Sequence, residues 1–272
     1  MHDESDAAEQ RELTRLLLEN LPDYPPPTDR SAPLRERLVA RAGRSAAENA
    51  RFLTVRSRSG AWSDFWPGVR MKPLWRGPAG HSVLLRFAPG AGLPVHRHRW
   101  MEEGIVLEGG LQMDDLDLGP GDYHRSPAGS RHGRIGSRQG GLAYLRGTSL
   151  GDTAGVLGEL LGGLLPGAGG RSATVYAADH EGWEPVAPSI RRKVLTADGP
   201  LASYFCRLDP GAELDGHGHA GDEECMMIKG ELFLGDLLLQ AGDYQLAPAG
   251  TAHGRIATDV GALLFVRGPL GH

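Results

Sequence analysis

The chain has 272 residues, with 29 lysines and arginines against 34 acidic residues and a formal net charge of −5. That balance gives no whole-protein argument for nucleic-acid binding, and no apolar run approaches the ~20 residues that span a bilayer. Cys206 and Cys225 make no CxxC and suggest no disulfide framework, and Met1 to Asp6 lack the basic and apolar regions of a signal peptide, so a cytoplasmic protein is expected.

Taken in order, residues 1–55 form the segment expected to be helical. Asp6 with Glu9 resembles a capping box, and Leu13, Leu16, Leu17 and Leu21 follow at helical spacing until Pro22 and Pro25 to Pro27 break the run. A second helix is expected from Ser31, with Leu34, Leu38 and Ala42 on one face and Gly43 ending it. Arg30 to Arg58 holds eight arginines against Glu36 and Glu48, which is either a solvated face or a docking surface for an acidic partner.

The rest reads as strands. With 40 glycines and 19 prolines between short alternating runs, the chain is expected to be all-β with many tight turns. A first barrel is expected over 56–148 and a second over 176–272, with hairpin turns at Asp114-Asp115 and Gly235-Asp236. Between them, 149–175 is a glycine-rich linker. Its leucines at 157, 160, 161, 164 and 165 predict a short helix whose stripe either packs against a barrel, the favoured reading, or is free to bind another chain, with Pro166-Gly167 as its stop.

Chemistry concentrates in Pro89 to Glu102. His96 and His98, one residue apart in an extended segment, share a face, and a turn over Arg99 to Met101 brings Glu102 back towards it. The Pro127-Ala128-Gly129 turn then delivers His132 into a further strand. Three imidazoles and a carboxylate suit a divalent transition metal. Moved along by 121 residues, the set recurs as His217, His219, Glu223 and His253, and the register holds from Trp62 and Trp183 to Arg146 and Arg267. A repeat of that length is two copies of one domain, each expected to bind one ion of Zn, Fe, Mn or Ni.

Other residues near these sets carry weaker expectations. Arg134 and Arg255, two residues after the last histidine of each set, face the metal side and could hold a substrate carboxylate if the strand stays regular, or face solvent if a bulge intervenes. By the same alternation Glu103 and Glu224 turn away and are structural. Cys225 shares parity with Glu223 and reads as a small buried hydrophobe at the second pocket. His81, His124, His180 and His272 have no counterparts in the other repeat and are given no metal role.

The spacings Gly90-x5-His96-x-His98-x3-Glu102-x6-Gly109 and Gly121-x5-Pro127-x-Gly129-x2-His132 resemble the two motifs of the cupin superfamily, and Gly211 to Gly230 with Gly242 to His253 match them again. The chain thus resembles a bicupin: two tandem jelly-roll barrels behind a short helical segment. Leu84 to Gly90, Glu102 to Gly109, Gly121 to His124, Pro67 to Val69 and Lys72 to Leu74 narrow this to the ChrR-like group, anti-sigma factors with a helical N-terminal domain and a C-terminal cupin. That group carries a His/Cys zinc site in its helical domain; residues 1–60 here hold His2 and no cysteine.

Three functions follow as expectations. The favoured one is a ChrR-like regulator that binds a metal, takes a small ligand, and contacts a sigma factor through residues 1–55. The second is an Fe(II)-type cupin dioxygenase acting on a small organic substrate, since four protein ligands leave room for a substrate. The third is a binding protein without turnover. Whether the protein is an enzyme stays open at this point, because fold does not decide function.

Overall fold

The computed structural model describes Arg15, Glu19 and residues 28–164, 173–175 and 181–270. The expected capping box, the first leucine stripe, the proline cluster and the Pro166-Gly167 stop lie outside those residues. The chain divides into two compact units, Met1–Glu48 and Asn49–His272.

In the first unit Arg15 and Glu19 are helical and paired at 2.7 Å. Helix α1 runs from Thr28 to Asn49 with Pro33 inside it, past the first turn, so the helix forgoes one backbone hydrogen bond there. The expected stop at Gly43 is corrected: the helix continues through it. A mid-helix glycine costs only about 1 kcal/mol relative to alanine, and the Ala46-Ala47-Glu48 sequence beyond favours helix. Leu34, Leu38 and Val39 are exposed.

The second unit holds both repeats, built on one plan. In the first, a seven-stranded sheet has the order 173–175, 123–126, 102–109, 141–148, 80–87, 69–77 and 63–66. In the second, the path runs 53–55, 244–247, 223–234, 262–269, 201–208, 190–198 and 183–187. Small strands oppose each large sheet: 92–93, 135–136, 111–113 and 116–118 in the first repeat, and 213–214, 256–257 and 237–240 in the second. Even irregularities coincide, with bulges at Pro73/Trp75 and at Val194/Thr196. Asp114 and Gly235, at the two expected hairpin turns, both adopt positive φ (51° and 60°), as a tight turn requires.

The first strand in each of those orders comes from the other repeat. Leu53–Val55, expected within the helical segment, pairs antiparallel with Tyr244–Leu246 of the second barrel. Ala173–Val175, expected within the linker, pairs with Tyr123–Arg125 of the first. Side chains repeat the exchange: Gln245 donates to the Thr54 hydroxyl (3.1 Å), and His124 Nδ1 lies 2.8 Å from the Thr174 hydroxyl. Each short β-branched strand thereby satisfies its backbone and covers an edge that would otherwise be bare.

Three apolar clusters hold this unit together. One lies inside each barrel, around Val83, Leu85 and Val106 in the first and Leu232, Leu239 and Leu264 in the second. The third joins the barrels through Ile105, Tyr123, Tyr144, Met226, Tyr244 and Phe265. Buried charges sit in this third layer. Arg146 donates to Glu224 (2.8 Å) and Glu103 (3.2 Å), Tyr123 donates to Glu103 (2.8 Å), and Tyr244 donates to Glu224 (2.9 Å). Glu103 and Glu224 do turn away from the ligand face, into the seam between barrels, where paired charges are tolerated because each is hydrogen-bonded.

Helix α2, Thr153–Gly163, starts at Asp152, whose side chain accepts from the Ala154 N–H. Its expected packing is corrected. Leu157, Leu161 and Leu164 are exposed, and the buried positions are Gly155, Glu159 and Gly163. Glycine allows the helix to approach the first barrel's backbone: a Cβ at Gly163 would meet the Val95 carbonyl at 2.8 Å and His96 Cα at 2.9 Å. Close approach on a glycine face leaves Leu160 half-buried against the first cavity and turns Leu157, Leu161 and Leu164 outward. Among the described residues no helix is long and apolar enough to cross a membrane.

Candidate metal centres

In each barrel the ligand segment is pinned by the Pro-Ala-Gly turn. Gly129 N–H donates to His98 O (2.8 Å) and His98 N–H to Ser130 O (3.0 Å); Gly250, His219 and Thr251 repeat both bonds at 2.8 Å. His132 pairs with His96 across strands Arg131–His132 and His96–Arg97, and the His253 N–H donates to His217 O (2.9 Å). The His132 side chain lies outside the described residues. The turn therefore places the last histidine of each set beside the first, as the spacing predicts.

His96, His98 and Glu102 come together, each offering a ligand atom within 4.8 Å of the others, and His217, His219 and Glu223 do the same. His98 Nδ1 is 3.7 Å from Glu102, and His219 Nε2 is 3.6 Å from Glu223. The His253 ring stands 4.5 Å from that of His219 and 5.5 Å from that of His217, centroid to centroid. Each barrel thus presents a His/His/Glu group able to hold a metal ion.

Electrostatics favour the forms a metal needs. Burial, then His96 and His124, push His98 down to about 3. Burial and then His219 push His253 down to about 4. Both imidazoles are neutral at ordinary pH, with a lone pair to donate. Burial pushes Glu223 up, but His219, His217 and His253 together outweigh it and hold the carboxyl below the usual range. Contacts also select tautomers. His96 Nδ1 faces the Pro94 carbonyl at 3.0 Å, and His219 Nδ1 faces the Thr251 hydroxyl at 3.0 Å and its carbonyl at 3.2 Å. Those carbonyls require an N–H at Nδ1, so Nε2 carries the lone pair in each ring. Glu223 Oε2 is buried with no hydrogen-bond partner among the described residues, a costly state that a cation would relieve. The donor set fits a divalent metal.

Arg134 and Arg255 follow the second of their two expected orientations. Both are exposed, and Arg255 is paired with Glu213. The strand is interrupted at Gly133-Arg134 and at His253 to Arg255, so parity counted from the histidine does not carry across. Cys225 does line the second cavity, where burial raises its thiol pKa.

Four contributors were not expected. Phe52, just after α1, lies flat on His253 with ring centroids 4.8 Å apart and meets His219 edge-on at 6.3 Å. Glu159 on α2 is buried over the first site. It accepts from Arg99 N–H (2.9 Å) and the Ser149 hydroxyl (2.8 Å), lines the same cavity as His96 and Glu102, and is raised by its burial. An acid standing alone in the apolar 153–165 run was the available signal. His124, buried beside the first site, contributes to lowering His98. Arg192 lines the second cavity. The cavities themselves differ, at about 40 Å³ in the first barrel, under α2, and about 210 Å³ in the second.

Two jelly-roll barrels in tandem, each with a His/His/Glu group inside, define a bicupin. The sequence model of the ChrR cupin-like domain matches residues 50–149 and again 171–270. The chain belongs to that family. No curated protein matches the sequence. Among solved structures it is similar to a Nostoc punctiforme protein with a proposed dioxygenase assignment, at 16% identity and a TM-score of 0.62, covering 82% of this chain and 84% of that one. It is also similar to Lactobacillus farciminis oxalate decarboxylase in complex with formate (16%, TM-score 0.55, 80% and 86% covered). A third is a cupin 2 conserved barrel domain protein from Leptotrichia buccalis (13%, TM-score 0.53, 76% and 91% covered). At these identities the likeness is one of fold.

Proposed function

We propose that this bicupin binds one divalent transition metal per barrel and uses the second barrel to recognise a small organic molecule, with a regulatory output. The observation that carries this reading is the opening of the His217/His219/Glu223 group onto a cavity of about 210 Å³. In the first barrel the same group is roofed by α2 and Glu159, which suits a structural ion. His217, His219, Glu223 and His253 would hold the second metal, which supplies a Lewis acid and an exchangeable coordination position. The chain's own residues shape the rest. Leu232, Leu234 and Leu264 exclude water, and Phe52 fixes the plane of His253.

The regulatory part of the reading is supported by Phe52, which ties the stretch following α1 to a ligand residue of the second site. A sigma factor, or another acidic partner, would bind the arginine-rich residues before Asn49. Removing residues 1–48 should then abolish its co-purification while both barrels stay folded. Recovery of no sigma factor with the full chain, under reducing and oxidising conditions alike, would overturn that part.

Turnover is the second reading, favoured by the same cavity and by neighbours named as a dioxygenase and oxalate decarboxylases. The chain loaded anaerobically with Fe(II) should consume O2 when offered β-diketone, thiol or aromatic substrates. An absence of turnover across that panel with Fe(II), Mn(II) and Ni(II) counts against it.

Metal binding itself is tested by elemental analysis, with two ions per chain expected. Replacing His96 and His98 by alanine should remove one ion, and replacing His217 and His219 should remove the other. A wild type that never exceeds one ion overturns the two-site reading.

A further inference from the structure

The two repeats are an internal control for each other, because their strands align residue for residue. Around the second metal group the wall carries Arg192, Tyr204, Cys206, Cys225 and Gln245. At the corresponding places, 121 residues earlier, the first repeat has Met71, Val83, Leu85, Gly104 and His124. A closed hydrophobic core explains most of the first set. It does not explain why the second barrel spends a guanidinium on its interior.

Arg192 is partly buried on strand Ile190–Asp198, opposite Cys206 of the next strand. One of its amino groups donates to the Leu270 carbonyl (3.2 Å), and the guanidinium lies over the Tyr204 ring at 5.8 Å from the centroid. These contacts fix the head. Its Nε–H is buried and has no hydrogen-bond partner among the described residues. Arg192 is the one guanidinium, and Glu223 the one carboxylate, among the described residues lining this cavity. Glu223 belongs to the metal group, so the cavity holds a cation with no anion of its own. Burying such a charge is costly unless a partner completes it.

We propose that the second barrel is built for a small organic carboxylate with an apolar body, its carboxylate held by Arg192 and its body lying against Leu232, Leu264 and Ile256. This rests on the reading of the second barrel as the ligand-binding one and names the ligand class. A carboxylate matches the planar fork of arginine with two parallel hydrogen bonds. The volume of about 210 Å³ leaves room for a small organic guest. The first barrel, with Met71 in place of Arg192 and a cavity of about 40 Å³, has neither the charge nor the room. One ligand per chain follows.

The test uses the full chain, metal-free and Zn(II)-loaded, titrated calorimetrically with butyrate and benzoate and with the neutral isosteres butyramide and benzamide. One carboxylate per chain should bind, each at least about tenfold more tightly than its amide, the cost of losing hydrogen bonds to a charged group. Arg192→Met installs the residue that the first repeat already carries. It should abolish this discrimination while metal content and melting temperature stay near those of the wild type, and Arg192→Lys should recover part of the affinity. Equal binding of acid and amide, binding of neither carboxylate, or an Arg192→Met variant that keeps the wild-type preference overturns the proposal. Metal content separates this from the broader reading. A chain that holds two ions but ignores carboxylates keeps its metal role and loses this ligand. One that discriminates acids when metal-free, yet takes up no ion, loses the metal role and keeps Arg192.

Discussion

Phe52 lies flat against His253 with 4.8 Å between ring centroids, although their positions in sequence put them in different repeats. The stack exists because the strand Leu53–Val55 crosses to the second barrel and draws the preceding residue over the ligand histidines. Phe52→Ala should therefore weaken metal retention in the second site and leave the first untouched. Release to a competing chelator, followed for the two sites separately, should be faster by roughly tenfold for the second, a loss comparable with one aromatic contact. Equal release rates in variant and wild type would show that the stack is incidental.

Gly163 is a contact point rather than a helix stop. Gly163→Ala pushes α2 off Val95 and His96 and should weaken metal binding in the first barrel, with a stability cost of roughly 1–3 kcal/mol from overpacking. Gly158, on the same helix, has open space where its Cβ would stand. Gly158→Ala should leave both metals in place and be neutral or stabilising by about 0.4–1 kcal/mol. Chemical denaturation with metal analysis separates the two outcomes.

Asp243 anchors the crossing strand from the far side. Burial alone would raise its carboxyl, but the Ser57 N–H (2.7 Å), Arg56 (2.8 Å) and the Gln240 N–H (3.1 Å) outweigh burial and hold it below the usual aspartate range. A carboxyl lowered in the folded state stabilises fully above its unfolded value of about 4, and the contribution is lost as pH falls through the lower folded value. Asp243→Asn should cost roughly 1–3 kcal/mol at neutral pH, and the gap to the wild type should narrow on acidification below that value. Urea melts at several pH values measure it; a gap independent of pH would contradict the assignment.

Arg146 joins Glu103 of its own barrel to Glu224 of the other. Arg146→Met leaves two buried carboxylates without their shared partner and should destabilise by roughly 3–5 kcal/mol. Adding Glu103→Gln and Glu224→Gln should recover part of that loss, since the uncompensated charges are then gone. A triple variant no more stable than Arg146→Met would argue that packing, not charge, sets the cost.

The ligand groups were legible in the sequence because the 121-residue repeat carries every donor twice, and because side-chain parity holds over the single step from His96 to His98. Parity gives no guidance where the backbone leaves the strand, at Gly133-Arg134 and at His253 to Arg255, and there Arg134 and Arg255 are exposed. Amphipathic spacing predicted α2 but not its buried side, because close approach at Gly155 and Gly163 decided the packing. The crossing strands were invisible for another reason. Three residues such as Leu53-Thr54-Val55 state a preference for extended backbone and say nothing about which edge they will join. Arg192 was hidden likewise, since only the wall it shares with His217 gives it a meaning.

Lending a strand in each direction has a consequence for the unit of inheritance. One repeat cut out alone, residues 50–149, would carry a strand with no edge to join and an edge with no strand to cover it. Two such fragments would satisfy each other, so the smallest self-sufficient object is a pair. Cutting the chain within 165–172 should therefore yield halves that remain associated under native conditions. The present polypeptide amounts to such a pair with its stoichiometry fixed by a peptide bond, which frees one member to change its pocket while the other keeps the partnership intact.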